Sequence, residues 1–186
     1  MADINNLELK PPDPIDWDDT GSKGGSFKLV PKGEYTLVAR EMPEKGATRE
    51  GYLQFKFKTL YIVAPGTPYD SQEVRYTNVN TKNWPNRKGS SFSDFLLAAG
   101  IAFRPTTNEE YEAAIAATLN VPFRARLDWE AVCKEGNYHY RLKGMENFPT
   151  DAEGAKISSF NCPECAKIGR EVRLFGNAIV KSFLAA

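Results

Sequence analysis

The chain has 186 residues, 41% of them hydrophobic and 26% charged, an ordinary composition for a single soluble globular domain. No apolar run approaches the roughly 18 residues a membrane span needs, the polar N-terminus has no signal-peptide core, and three cysteines make no disulfide framework, so a cytoplasmic protein is expected. The net charge of zero is unevenly spread: residues 1–20 carry −5 (Asp3, Glu8, Asp13, Asp16, Asp18 and Asp19 against Lys10) and the remainder +5, a mildly basic body with an acidic arm.

Residues 1–28, including "KPPDPIDWDDTGSKGGS", hold too few apolar groups to order themselves, which predicts an arm that is either solvated or docked through Trp17 and its acids. From residue 33 the pattern turns to strands: "GEYTLVARE" (33–41), then "YLQFKFKTLYIV" (52–63) after a charged loop at 44–51, then "SQEVRYTNVN" (71–80). Alternation in the second strand places Leu53, Phe55, Phe57, Tyr61 and Val63 on one face and Tyr52, Gln54, Lys56 and Lys58 on the other. A basic loop with Trp84 follows. Ser91 is the expected N-cap of a helix near 91–99 with Phe92, Phe95, Leu96 and Ala99 as its stripe, and Gly100 stops it. A second helix at 108–119 begins with Thr107 and Glu110 in capping-box spacing.

Strands resume at "VPFRARLDWEAVC" (121–133) and "NYHYRLKGM" (137–145), read as a hairpin around Glu135-Gly136, and "REVRLFGNAIVKSFL" (170–184) closes the chain with one or two more. Three strands, a helical insert and a hairpin are the order of an OB-fold-like five-stranded barrel. The expected organisation is thus a mainly β chain: an arm (1–28), the barrel (29–148), and a Cys-x-x-Cys turn with a C-terminal strand extension (149–186).

With the apolar faces turned inward, the outer face of such a barrel carries Tyr52, Lys56, Lys58, Arg75, Arg124, Arg126, Arg141 and Lys143, with Trp84, Arg87 and Lys88 in the adjoining loop. Cations that follow phosphates and an aromatic that stacks on bases suit a single nucleic-acid strand; the same alternation is also what any solvated strand face looks like, and Asp128 and Glu130 interrupt the row. Trp84, in a basic loop with no evident core to join, is the favoured stacking residue. Nothing in the sequence assembles a catalytic constellation: there is one histidine, no nucleophile motif and no phosphate-binding glycine loop, so a non-enzymatic role is expected.

Cys162-Pro-Glu-Cys165 is half of a zinc site, a redox motif or neither. A redox pair opens a helix, whereas the residues after this one read as turn and strand, which argues against that role. Cys133 at the hairpin tip offers a third thiolate, so one structural zinc ion on Cys133, Cys162 and Cys165 stands beside a metal-free turn with inert thiols. Strand alternation puts His139 on the face opposite Cys133, which argues against it as the fourth ligand.

"RARLDWEAVCKEGNYHYRLKGMENFP", the following "CPEC" with its closing strand, and "PKGEYTLV" upstream together resemble small bacteriophage-encoded OB-fold proteins of replication and recombination regions, across most of residues 30–184. The resemblance implies a sequence-tolerant single-stranded-DNA-binding or accessory protein in the host cytoplasm, open to homo-oligomerisation and to replication or recombination partners through its acidic arm. One departure is that such binders often carry acids at the C-terminus, whereas this chain ends in "KSFLAA". The alternative is a non-enzymatic protein-interaction module on a small β-barrel.

Overall fold

The computed structural model describes residues 30–85, 90–135 and 139–185; the arm and the loop positions Arg87 and Lys88 lie outside the described residues. The chain is mainly β, and its elements are β1 (Gly33–Val38), β2 (Glu44–Ala47), β3 (Leu53–Ile62), β4 (Glu73–Asn80), α1 (Ser91–Ala98), α2 (Asn108–Ala116), β5 (Phe123–Cys133), β6 (Tyr140–Lys143), β7 (Ser159–Asn161), α3 (Pro163–Lys167), β8 (Arg173–Phe175) and β9 (Asn177–Leu184).

Seven strands form one antiparallel sheet, and β7 and β8 form a separate ribbon. β3 carries β4 along one edge; its other edge is shared by β2 over Leu53–Lys56 and β1 at Tyr61–Ile62. β1 then passes to β5, which takes β1 and β6 on one edge and β9 on the other. The chain of pairings makes β4 and β9 run in the same direction, and the two pack beside each other with no ladder joining them among the described residues. The expected fifth strand, 137–145, is only the four-residue β6, and β9 takes the place opposite β4. The last strand is therefore built into the main sheet. The segment 44–47, expected as loop, is β2, because β3 is long enough to offer it a partner edge.

The inward alternation of β5 is as expected: Phe123, Ala125, Leu127, Trp129, Ala131 and Cys133 are all buried. Their surroundings divide in two. Phe123, Ala125 and Leu127 join the main core with Phe55, Phe57, Leu60, Phe92 and Phe95, whereas Trp129, Ala131 and Cys133 face a second core made with Phe148, Cys162, Cys165 and Leu174. In the main core Phe95 lies 5.1 Å, centroid to centroid, from both Phe123 and Phe183, so α1 is held against β5 and β9 by edge-on aromatic contacts.

Two expectations about direction fail. In β3 the buried residues are Phe55 and Phe57 and then Leu60 and Ile62, so Tyr61 and Val63 do not continue the inward face. β4 makes the same change, from Val74 to Thr77 and Val79. Opposite Lys58, where the ladder skips a pair, Tyr76 adopts φ +56, a left-handed conformation that re-aims both strands. Asp128, expected outside, is buried: its Oδ1 accepts from the amides of Trp129 (2.8 Å) and Met145 (3.0 Å), and Lys32 and Lys181 approach its Oδ2 at 3.4 and 3.6 Å.

The helices begin as their caps dictate. Thr107 and Glu110 form the reciprocal capping box of α2. In α1 the cap is Ser90, one residue ahead of the expected Ser91, whose hydroxyl instead bonds to Asn80 at the end of β4. No helix among the described residues is long and apolar enough to cross a membrane.

Candidate functional site

Cys133 is the last residue of β5, and Cys162 and Cys165 frame the start of α3. Pro163 fits the first helical position because its missing N–H would have no partner there. The Cys-x-x-Cys pair thus does open a short helix, contrary to the sequence expectation, and this removes the argument that the sequence offered against a redox role. All three thiols are buried, and the His139 imidazole completes a group whose four donor atoms lie within 4.8 Å of one another.

His139 joins the cluster because the hairpin turns later than expected. Cys133 pairs with Tyr140, leaving residues 134–139 as the connection. His139 therefore precedes β6 and is not bound by its alternation, and this overturns the argument that excluded it. Its Nδ1 is tied to the Glu135 carbonyl, which turns Nε2 toward the thiols.

The distances between donors test whether an ion fits. Cys133 Sγ and Cys165 Sγ are 3.8 Å apart, and His139 Nε2 lies 3.5 Å from Cys162 Sγ and 3.4 Å from Cys165 Sγ. In tetrahedral zinc coordination, bonds of about 2.3 Å to sulfur and about 2.0–2.1 Å to nitrogen place S···S at about 3.8 Å and S···N at about 3.5 Å. Three of the six edges match that tetrahedron, and all six lie within 4.8 Å. The residues can hold a metal ion, and three sulfurs with one imidazole favour a soft or borderline one.

Electrostatics point the same way. Burial disfavours the Cys162 thiolate, but hydrogen bonds from the Cys165 and Glu164 amides and from His139 and Cys133 outweigh it and bring the thiol down to about 7. Burial and the neighbouring Cys133 and Cys162 push Cys165 up to about 12. Cys162 in turn raises His139, with help from the Glu135 carbonyl. One thiolate is favoured here and further negative charge is resisted, a conflict that a divalent cation resolves.

The basic positions do not form one row. Arg124 and Arg126 both bond Glu34, at 2.7 and 2.9 Å; Lys58 pairs with Glu44, Arg75 with Glu73, and Arg141 with Glu130. Lys56 and Lys143 are exposed with no carboxylate at ion-pair distance among the described residues, and Tyr52 is partly exposed with the Lys82 ammonium 5.9 Å from its ring centroid. Trp84 does have a core to join: it packs edge-on against Phe92 and Tyr111, and its Nε1 donates to the Pro105 carbonyl at 3.0 Å. The turn bends it back onto α1 and α2, a contact that no local pattern announces.

Comparison with known protein families, curated proteins and solved structures found no match. The function of the chain is therefore inferred from its own residues and their geometry.

Proposed function

We propose that this chain is a non-enzymatic, sequence-tolerant single-stranded-DNA-binding protein built on an OB-type sheet and stapled by one structural zinc ion. The observation that carries the reading is the strand order β4–β3–β1–β5–β9 with β4 returning beside β9. On this reading the order is the five-strand course of an OB barrel left open at one seam, and β3 and β4 would take the places of its ligand-binding second and third strands. This is an argument from architecture, and the residues must support it separately. Support comes from Lys56 and Tyr52 on or beside β3 and from Lys143 on β6.

Cys133, His139, Cys162 and Cys165 would hold the zinc, which would supply a cross-link between the β5–β6 hairpin and the α3 turn. The three thiols are themselves part of the second core, so a staple there would tie that core to the β5 strand end. A bacteriophage replication or recombination setting follows only from the resemblance.

The ion pairing of Arg124, Arg126, Lys58 and Arg141 favours the second reading, a protein-interaction module whose cations are ordinary surface. Titration of labelled oligo-dT and a duplex of equal length at low salt separates the two. Preferential capture of the single strand is expected; equal or absent binding of both would leave the interaction module as the better account.

A further inference from the structure

The seam between β4 and β9 is a groove of about 360 Å³, large enough for a nucleobase-sized group. Tyr76 stands 69% exposed on the β4 side, the most exposed aromatic among the described residues, held there by its left-handed backbone. A bulky residue in that conformation is strained, and it persists only where its surroundings require it. Arg141, Lys143 and Lys181 also line the groove, Arg141 paired with the groove residue Glu130 and Lys181 3.6 Å from Asp128, and the Lys134 ammonium lies 5.4 Å from the centroid of the Tyr76 ring.

Thr77 also lines the groove. It is only 6% exposed, and its Oγ1 is a buried side-chain polar atom with no hydrogen-bond partner. An unpaired buried hydroxyl is unfavourable, and this one lies beneath the groove floor rather than on its surface. Asp94 of α1 adds an acceptor to the same groove. An exposed ring, Lys143 with no ion-pair partner among the described residues, and Arg141 and Lys181, which can exchange Glu130 and Asp128 for a phosphate, match one nucleotide: a flat base joined to a phosphate.

We infer that the β4–β9 groove is a nucleotide-binding subsite for single-stranded DNA, with Tyr76 stacking on a base and Arg141, Lys143 and Lys181 facing its phosphates. The inference rests on the single-strand-binding reading and deepens it, moving the aromatic contact from Trp84, which belongs to the core, to Tyr76. It also places the subsite beside the metal centre, because Lys134 follows the ligand Cys133 and Arg141 lies two residues after the ligand His139.

The test is an oligo-dT titration of the full chain and of Tyr76→Ala and Tyr76→Phe, with photo-crosslinking of wild-type protein to a 5-iodouracil-substituted strand. Loss of one base stack predicts about 5- to 150-fold weaker binding for Tyr76→Ala, with most of the affinity kept by Tyr76→Phe and a crosslink on or next to Tyr76. If wild type binds but Tyr76→Ala stays within twofold, or if the wild-type crosslinks map away from β4 and β9, the subsite is refuted while the functional reading stands. If wild type binds no single strand, the functional reading fails and takes the subsite with it. The crosslink needs no mutant, so it decides the matter even where Tyr76→Ala folds poorly.

Discussion

If the Cys133–His139–Cys162–Cys165 cluster holds the proposed zinc, removing the ion should lower stability by an amount that follows from the chain path. An ion bridging Cys133 and Cys162 closes a loop of about 30 residues, and the loop-entropy relation for a cross-link of that length gives about 3–4 kcal/mol. For a chain of this size each kcal/mol moves the melting temperature by about 2–4 °C, so chelation should lower it by about 6–16 °C. The second core should respond first, since the main core of Phe55, Phe57, Phe92, Phe95 and Phe123 contains none of the ligands. The assay is metal analysis of the purified protein, followed by thermal melts with and without a strong zinc chelator and for His139→Ala and Cys162→Ser. One zinc per chain and a downward shift in all three cases are expected. Metal-free protein whose melt ignores the chelator would refute the tetrahedral argument.

Other outcomes follow from single side chains. Asp128→Asn should cost about 1–3 kcal/mol near neutral pH, because it removes the charge that faces Lys32 and Lys181. Burial alone would raise the Asp128 carboxyl, but the Met145 and Trp129 amides and Lys32 hold it below the ordinary aspartate value. Its contribution is therefore present above that ordinary value and lost as pH falls through the depressed one; urea melts from about pH 7 to about pH 2 should show wild type converging on the variant. Trp84→Ala should cost about 2–4 kcal/mol, read by denaturant melts, because the ring packs on Phe92 and Tyr111; an unchanged midpoint would contradict its place in the core.

How far the sequence reveals the fold depends on what constrains each segment locally. The inward face of β5 was legible from end to end, since alternation over eleven residues leaves it no freedom, whereas the burial of Asp128 on the other face depends on Lys32, Met145 and Lys181 and was not. The α2 capping box was legible for a similar reason: both of its partners lie within one turn. The reversal of faces in β3 and β4 was not, because a left-handed tyrosine has no counterpart in a periodicity scan. His139 was lost to an assumption about hairpin length. Alternation fixes which residues share a face only inside the ladder, and the connecting loop takes a register that the ladder does not set. Spacing pointed correctly to the three cysteines, and the sole histidine of the chain, six residues after Cys133, was the remaining signal. The cations were legible as residues but not as a surface, since their carboxylate partners come from other strands, as Glu34 does for Arg124 and Arg126.

The salt dependence of oligo-dT affinity tests the functional account most directly. Lys56 and Lys143, which have no carboxylate at ion-pair distance among the described residues, predict a log–log slope of about −1.4, steepening to about −3 where Arg141 and Lys181 exchange Glu130 and Asp128 for phosphates, since each neutralised phosphate of a single strand contributes about −0.7. Affinity that falls with that slope is the expected result, and affinity that is absent at low salt or unchanged by added salt would contradict the account.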